Sequence, residues 1–150
     1  MVHGDRTEPD KLLAYVRFRC KHLKEDIKHN FRITERIFTR TITPTKFKKY
    51  VQNSKAKVDF HASEKAYHVS KQHINKGSAL KKLTYDLRFG SDDVVIAVGD
   101  SGLDVPMFKE AEISFAVANA PSEVQKQAHV TLQNKTFDGV MEMYNGWFRR

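Results

Sequence analysis

The sequence predicts an α/β protein in two parts: a second half built as part of a doubly wound parallel sheet, and a first half that reads as a small α+β domain. Three observations carry this reading. Residues 94–98 (VVIAV) form a continuous apolar run, as expected of a strand covered on both faces of a parallel sheet. From residue 78 onward, helix-patterned and strand-patterned segments alternate strictly, which is the rhythm of βα units. The charge divides as well. Residues 1–90 hold 21 Lys+Arg against 9 Asp+Glu, and residues 91–150 hold 5 against 9, so a +12 part joins a −4 part within a net +8.

The first part is read as follows. Leu12, Val16, Cys20, Leu23 and Ile27 recur at helical spacing and predict a helix over 10–29. Residues 31–42 (FRITERIFTRTI) are rich in β-branched and aromatic types and predict one strand or two. Thr43 followed by Pro44 has the form of a cap and first-turn proline, opening a short helix that buries Phe47, Tyr50 and Val51. Residues 57–62 and 66–70 alternate in hydropathy around a short SEK connection and predict a hairpin. In the second part, helices are expected at 78–88 (Leu80, Leu83 and Leu87 inward), 105–111 (with Pro106 in its first turn), 121–128 and 137–148. The last of these should bury Tyr144, Trp147 and Phe148. Strands are expected at 113–118 and 129–132. The boundary falls within 71–77, giving parts 1–72 and 73–150.

Composition excludes several classes. At 40% hydrophobic residues with 10 Phe and 5 Tyr, the chain is not of the disordered type. No stretch of ~18 apolar residues occurs, so no membrane partner is expected, and the first ten residues do not read as a signal peptide. The single Cys20 rules out an internal disulfide framework and a CxxC site; a reducing, cytoplasmic setting fits it. Seven histidines show no zinc-binding spacing, although His61 and His68 sit on adjacent predicted strands and could meet. Lys46, Lys48, Lys49, Lys55 and Lys57 read as an outward basic face that would attract anions. A nucleic-acid role rests only on the basic excess, with no recognition motif, and ranks last.

The chemistry concentrates in residues 94–104 (VVIAVGDSGLD). In a parallel sheet, sites form beyond the carboxyl ends of the strands. Asp100 falls at that edge and Asp104 one loop later, where a helix begins, while Gly99 and Gly102 would let the backbone bend. Two carboxylates converging there suit Mg²⁺, which takes one or two carboxylates together with water and phosphate. Taken alone, the segment reads rather as a helix cap at Asp104 and a turn residue at Asp100. Upstream, Lys76 lies at the start of the helix within NKGSAL, where a helix N-terminus and an ammonium both favour a phosphate.

Residues 74–140 resemble the carboxyl-terminal half of the haloacid dehalogenase (HAD) superfamily phosphatases, in the branch of Cof-like and archaeal phosphoglycolate or sugar-phosphate phosphatases. The matching pieces are INKGSAL (74–80), VIAVGDSGLDVPMF (95–108), FAVANAPSEVQKQA (115–128) and FDGV (137–140), in family order. The resemblance implies a partial HAD-like, Rossmannoid core with 1–72 as a small α+β cap domain. It implies that Lys76 balances charge on the phosphoryl group, that Asp100 is the principal Mg²⁺-binding acid, and that Asp104 is its companion. Ser101 and Asn119 would lie near the phosphate or substrate pocket. The implied reaction is covalent phosphoryl transfer through an aspartyl-phosphate, on a small phosphorylated metabolite.

Two departures stand out. Leu103 occupies the position where the family usually has Asn. The DxD motif that carries the family's nucleophile is not found: Asp5 precedes Arg6-Thr7, and Asp59 lies within KVDFHAS. The strand at 94–98 should therefore have one flank open, and either a homo-oligomer or a complementary DxD-bearing chain is expected to cover it. The leading reading is a Mg²⁺-dependent phosphatase of small phosphorylated metabolites; the competing one is a non-catalytic interaction or regulatory module that keeps the fold.

Overall fold

The structure is a computed structural model describing residues 5–20, 23–26, 32 and 34–149. It comprises two compact units, Met1–Ile74 and Asn75–Arg150. In the first, helix α1 (Thr7–Arg19) is followed by strand β1 (Glu35–Thr39), helix α2 (Pro44–Ser54) and the hairpin β2 (Val58–Ala62) and β3 (Ala66–Lys71). The sheet is antiparallel in the order β1-β3-β2, so β3 lies in the centre with β1 and the hairpin partner on its flanks. Helix α2 starts where its sequence directs. Thr43 accepts a hydrogen bond from the Lys46 N–H, and Pro44 fills the first turn, where a missing N–H costs nothing.

The core of this unit is aromatic. Phe47 stacks on Tyr67 with ring centroids 4.0 Å apart and meets the edge of Phe60 at 5.0 Å. Phe38, Phe47 and Tyr67 are fully buried beside Leu12 and Val16. The one polar atom this burial carries, Tyr67 Oη, donates to the Ile42 carbonyl. Burying each such side chain contributes about 1.5–3 kcal/mol.

The helix expected over 10–29 stops at Arg19. Cys20 closes it by donating to the Val16 carbonyl, and by residues 24–26 the chain runs alongside β1: Thr39 N–H donates to Lys24 and Asp26 N–H to Ile37, both at 2.8 Å. Cys20 and Leu23 remain buried after the chain has left the helix, so the apolar spacing continued past the helix end. Glu25 is drawn to the sheet by Arg36, whose guanidinium reaches Glu25 at 2.9 Å and Asp10 at 2.6 Å. Ile27, His3, His22 and His29 lie outside the described residues. Of the one strand or two expected over 31–42, the described residues show β1. His61 and His68 do face each other in register across the hairpin, but His68 pairs with Glu35 at 3.3 Å.

The second unit alternates α3 (Lys76–Asp86), β4 (Ile96–Gly99), α4 (Val105–Phe108), β5 (Ile113–Ala116), α5 (Ser122–Gln125), β6 (Val130–Thr131) and α6 (Thr136–Phe148). Its three strands are parallel in the order β4-β5-β6, around a core of Ala97, Phe108, Phe115, Val117, Val124 and Leu132. The order runs one way from β4, so the described strands make one wing of the doubly wound pattern. β4 turns the Val95 and Gly99 carbonyls toward β5, where Ile113 and Val117 donate to them. The backbone groups of Ile96 and Val98 therefore face the other flank, where no strand follows among the described residues.

Two expectations about this core are corrected. Leu83 and Leu87, expected inward with Leu80, are 53% and 59% exposed. Tyr144, Trp147 and Phe148, expected in the core, are 47%, 45% and 59% exposed, although Trp147 still sets its ring edge-on to Phe115. The spacing marks the apolar face of a helix correctly; a three-stranded sheet is too narrow to cover both helices. No described helix is long and apolar enough to cross a membrane.

Candidate active site

Helix α3 is built to begin at Lys76. Asn75 takes an extended conformation and its side chain accepts the Ser78 N–H at 3.0 Å, while Ser78 Oγ accepts the Asn75 N–H at 3.1 Å. This reciprocal cap fixes Lys76 as the first helical residue. The next residue, Gly77, lies against α4: a Cβ there would come within 2.3 Å of the Pro106 carbonyl oxygen. The close approach of α3 to α4 thus depends on a missing side chain.

That approach brings Lys76 to Asp104. The ammonium forms an ion pair with Asp104 Oδ1. Asp104 Oδ2 accepts from the backbone N–H of Asp100 at 3.0 Å, the backbone N–H of Ser101 at 2.9 Å and Ser101 Oγ at 2.9 Å. Asp104 is only 2% exposed. Burial by itself opposes its ionisation; the Lys76 ammonium, the two N–H groups and the hydroxyl outweigh that and hold its carboxyl below the ordinary range. Gly99 makes room for this arrangement, since a Cβ on it would sit 2.4 Å from the Asp104 Cβ. No described glycine has positive φ, so Gly99 serves close packing and not a left-handed conformation, while the chain bends at Asp100 and Ser101 and turns over 102–104.

Asp100 is different. Its backbone is tied to Asp104, while its side chain lies exposed just beyond the carboxyl end of β4. Leu103 is half-buried in the same turn. Lys76, Asp100, Ser101 and Asp104 are therefore gathered at one rim of the sheet. Asn119 leaves β5 at the same end, but it acts on α6: its Oδ1 accepts the Thr136 N–H at 2.8 Å, where Thr136 starts the helix with φ 46°. The sequence reading also missed Gly139, whose Cβ would lie 2.6 Å from the Asn134 carbonyl oxygen and 2.9 Å from Val117 Cγ1. The glycine of FDGV is a packing residue that seats α6 against the β5 turn.

A parallel sheet with a lysine–aspartate pair and a free carboxylate at its carboxyl rim defines a class of α/β protein suited to holding an anion and a cation side by side. Within that class, the sequence matches the haloacid dehalogenase-like hydrolases over residues 6–143, and the chain belongs to that family. It is 32% identical over 133 residues to a phosphoglycolate phosphatase of Nitrosopumilus maritimus, covering 82% of this chain and 57% of that one. It is 33% identical over 141 residues to a phosphoglycolate phosphatase of Methanobrevibacter smithii, covering 86% and 60%. The chain thus spans less than two thirds of the length of these curated relatives. Among solved structures, a Streptococcus mutans protein superposes with a TM-score of 0.77 at 19% identity, over 99% of this chain and 70% of that one, which is a likeness of fold.

Proposed function

We propose that this chain is part of a Mg²⁺-dependent phosphatase acting on a small phosphorylated metabolite such as phosphoglycolate or a sugar phosphate. The observation that carries the reading is the grouping of Lys76, Asp104 and the free Asp100 carboxylate at the open end of β4. Lys76 supplies a positive charge for a phosphoryl oxygen, and its exposed side chain can serve an incoming anion while staying anchored by Asp104. Asp100 presents a carboxylate with no partner among the described residues. The described residues contain no group of three or more His, Cys, Asp or Glu able to hold a metal by themselves. Mg²⁺ does not need one, since it keeps several waters and takes one or two carboxylates with substrate phosphate. The residues fit Mg²⁺ on those terms, with Asp100 holding it. Bound there, the ion would offset negative charge on the phosphoryl oxygens.

The nucleophile is not among these residues. The reading requires a DxD-bearing segment, as a complementary chain would provide, brought to the open flank of β4. That the Nitrosopumilus and Methanobrevibacter relatives are phosphoglycolate phosphatases supports phosphoglycolate as the first substrate to try. The test adds Mg²⁺ and phosphoglycolate to the chain together with a DxD-bearing fragment of a haloacid dehalogenase-like hydrolase. Phosphate release that is metal-dependent and falls at least about 100-fold in Asp100→Asn supports the proposal. Failure of every such mixture, with the fragment shown to bind, overturns it. The second reading, a non-catalytic module keeping the fold, is favoured by Leu103 in the rim turn; it predicts phosphate binding without turnover.

A further inference from the structure

We propose that the sheet of unit 1 carries a metal site of its own: His61 and His68 chelate one Zn²⁺- or Ni²⁺-class ion across the hairpin, with Glu35 holding His68 from behind. The inference is independent of the Mg²⁺ reading of unit 2. Strand alternation fixes the face. Phe38, Phe60, Tyr67 and Val69 pack with Leu12, Val16 and Phe47 of the two helices, and the residues between them point the other way. His61 and His68 are direct partners in the β2–β3 ladder, so they stand side by side on that other face, both partly exposed. Opposed residues of an antiparallel pair hold their Cβ atoms about 4.5–5.5 Å apart, a separation from which two imidazoles can share one ion.

Glu35 decides which nitrogen His68 offers. His68 Nδ1 lies 3.3 Å from Glu35 Oε2, while Glu35 Oε1 is tied to Arg32. Burial opposes ionisation of Glu35, but His68 and Arg32 outweigh it and hold the carboxyl below its ordinary range. An ionised carboxylate only accepts, so Nδ1 carries the proton and the neutral ring keeps its lone pair on Nε2. A carboxylate on one ring nitrogen and a metal on the other is the arrangement that fixes ring orientation and raises ligand basicity. The donor set then selects the ion. In the same row β1 contributes Ile37, so the row supplies two nitrogens and no third donor, and the described residues hold no three-ligand cluster. Water fills the remaining positions. Imidazole suits Zn²⁺, Ni²⁺ and Cu²⁺, whereas Mg²⁺ asks for oxygen. Once one nitrogen has bound, the other binds intramolecularly, and only while β2 and β3 are paired.

The experiment titrates Zn²⁺ into the 150-residue chain in excess Mg²⁺, by calorimetry and by ¹H–¹⁵N spectra of the histidine rings. The ring signals of His61 and His68 are expected to shift together, and the chain to melt higher with Zn²⁺ than without it. His61→Ala and His68→Ala should each weaken binding at least about tenfold, and the double variant no further than either alone, because a chelate is lost with either arm. Glu35→Gln should weaken it about tenfold, as loss of an outer partner does. Asp100→Asn should leave it unchanged, which separates failure of this site from failure of the Mg²⁺ site. The proposal is overturned if the unaltered chain takes up no Zn²⁺, if ring shifts are confined to other histidines such as His73 or His129, or if the two single losses add as those of independent ligands. Should a variant fail to fold, the ring shifts of the unaltered chain decide the matter by themselves.

Discussion

The two units bury their apolar residues to different degrees. Unit 1 fully buries Phe38, Phe47 and Tyr67 with Phe60 half-buried against them, and of its described large hydrophobic side chains only Phe18 is strongly exposed. Unit 2 leaves Leu83, Tyr85, Leu87, Phe89 and Val94 open around the end of α3, and Phe137, Met141, Tyr144 and Phe148 along α6. Those four α6 residues are spaced four, three and four apart, one stripe of a helix. The polar groups differ as well. The buried carboxylate of unit 2 has four donors, while in unit 1 Asp10 and Glu25 share the guanidinium of Arg36. The first unit is finished around its own core. The second is finished around its site and open along its apolar flank.

The largest test of this contrast is Phe47→Ala. It empties the centre of a stack touching Phe38, Phe60 and Tyr67 and should cost about 3–5 kcal/mol. Loss of the Leu12 and Val16 methyl signals would report unfolding of unit 1. The single Trp147 lies in unit 2 and reports separately by fluorescence. A cost below about 1 kcal/mol would mean that the aromatic cluster is not what holds unit 1 together.

Acid sharpens the comparison next. Asp104 has a folded pKa below its unfolded value, which is about 3.9. Its contribution is fully present above that value and is lost as the pH falls through the folded one. Thermal melts followed at Trp147 should therefore agree between pH 7 and pH 5 and drop below about pH 4. Lys76→Met should flatten that acid limb and lower stability at pH 7 by about 1–3 kcal/mol, since a buried carboxylate loses its counter-ion. In unit 1, burial opposes ionisation of Glu35, but His68 and Arg32 hold its carboxyl low, so its limb lies in the same range and should not respond to Lys76→Met.

The smallest effect on stability is expected from Tyr144→Glu with Met141→Glu. Both sites are exposed, so the change should stay within about 0.5 kcal/mol per site. It should instead reduce self-association measured by sedimentation. An unchanged association state would direct attention to the β4 flank and α3.

The comparison also explains what could be read from the sequence. VVIAV yielded β4, Thr43-Pro44 yielded the start of α2, and NKGSAL placed Lys76 beside the N-terminus of α3, which begins two residues before the expected 78, because each signal is local: an apolar run, a cap, a helix start. The end of α1 at Arg19 was hidden, because Cys20 and Leu23 stay buried by other means and extend the helical spacing. The exposure of Leu83 and Tyr144 was hidden because periodicity identifies a face and not its cover. In the site, the residues that meet were legible, and the resemblance already set Asp100 and Asp104 apart as principal acid and companion. What the sequence did not show is the burial of Asp104 and the donors that surround it. Asn119 was placed near the pocket by resemblance, yet its side-chain oxygen is given to the N-terminus of α6.

The contact between Gly77 and Pro106 has a wider bearing. Helix α3 can approach α4 this closely only because position 77 carries nothing beyond its backbone, and the neighbouring Lys76 takes its place from that approach. A chain drifting through neutral substitutions could exchange the lysine for arginine and still carry a cation. Adding one methyl group at position 77 would swing that cation away from its partner. The spacing between opposite charges here is kept by an atom that is not there.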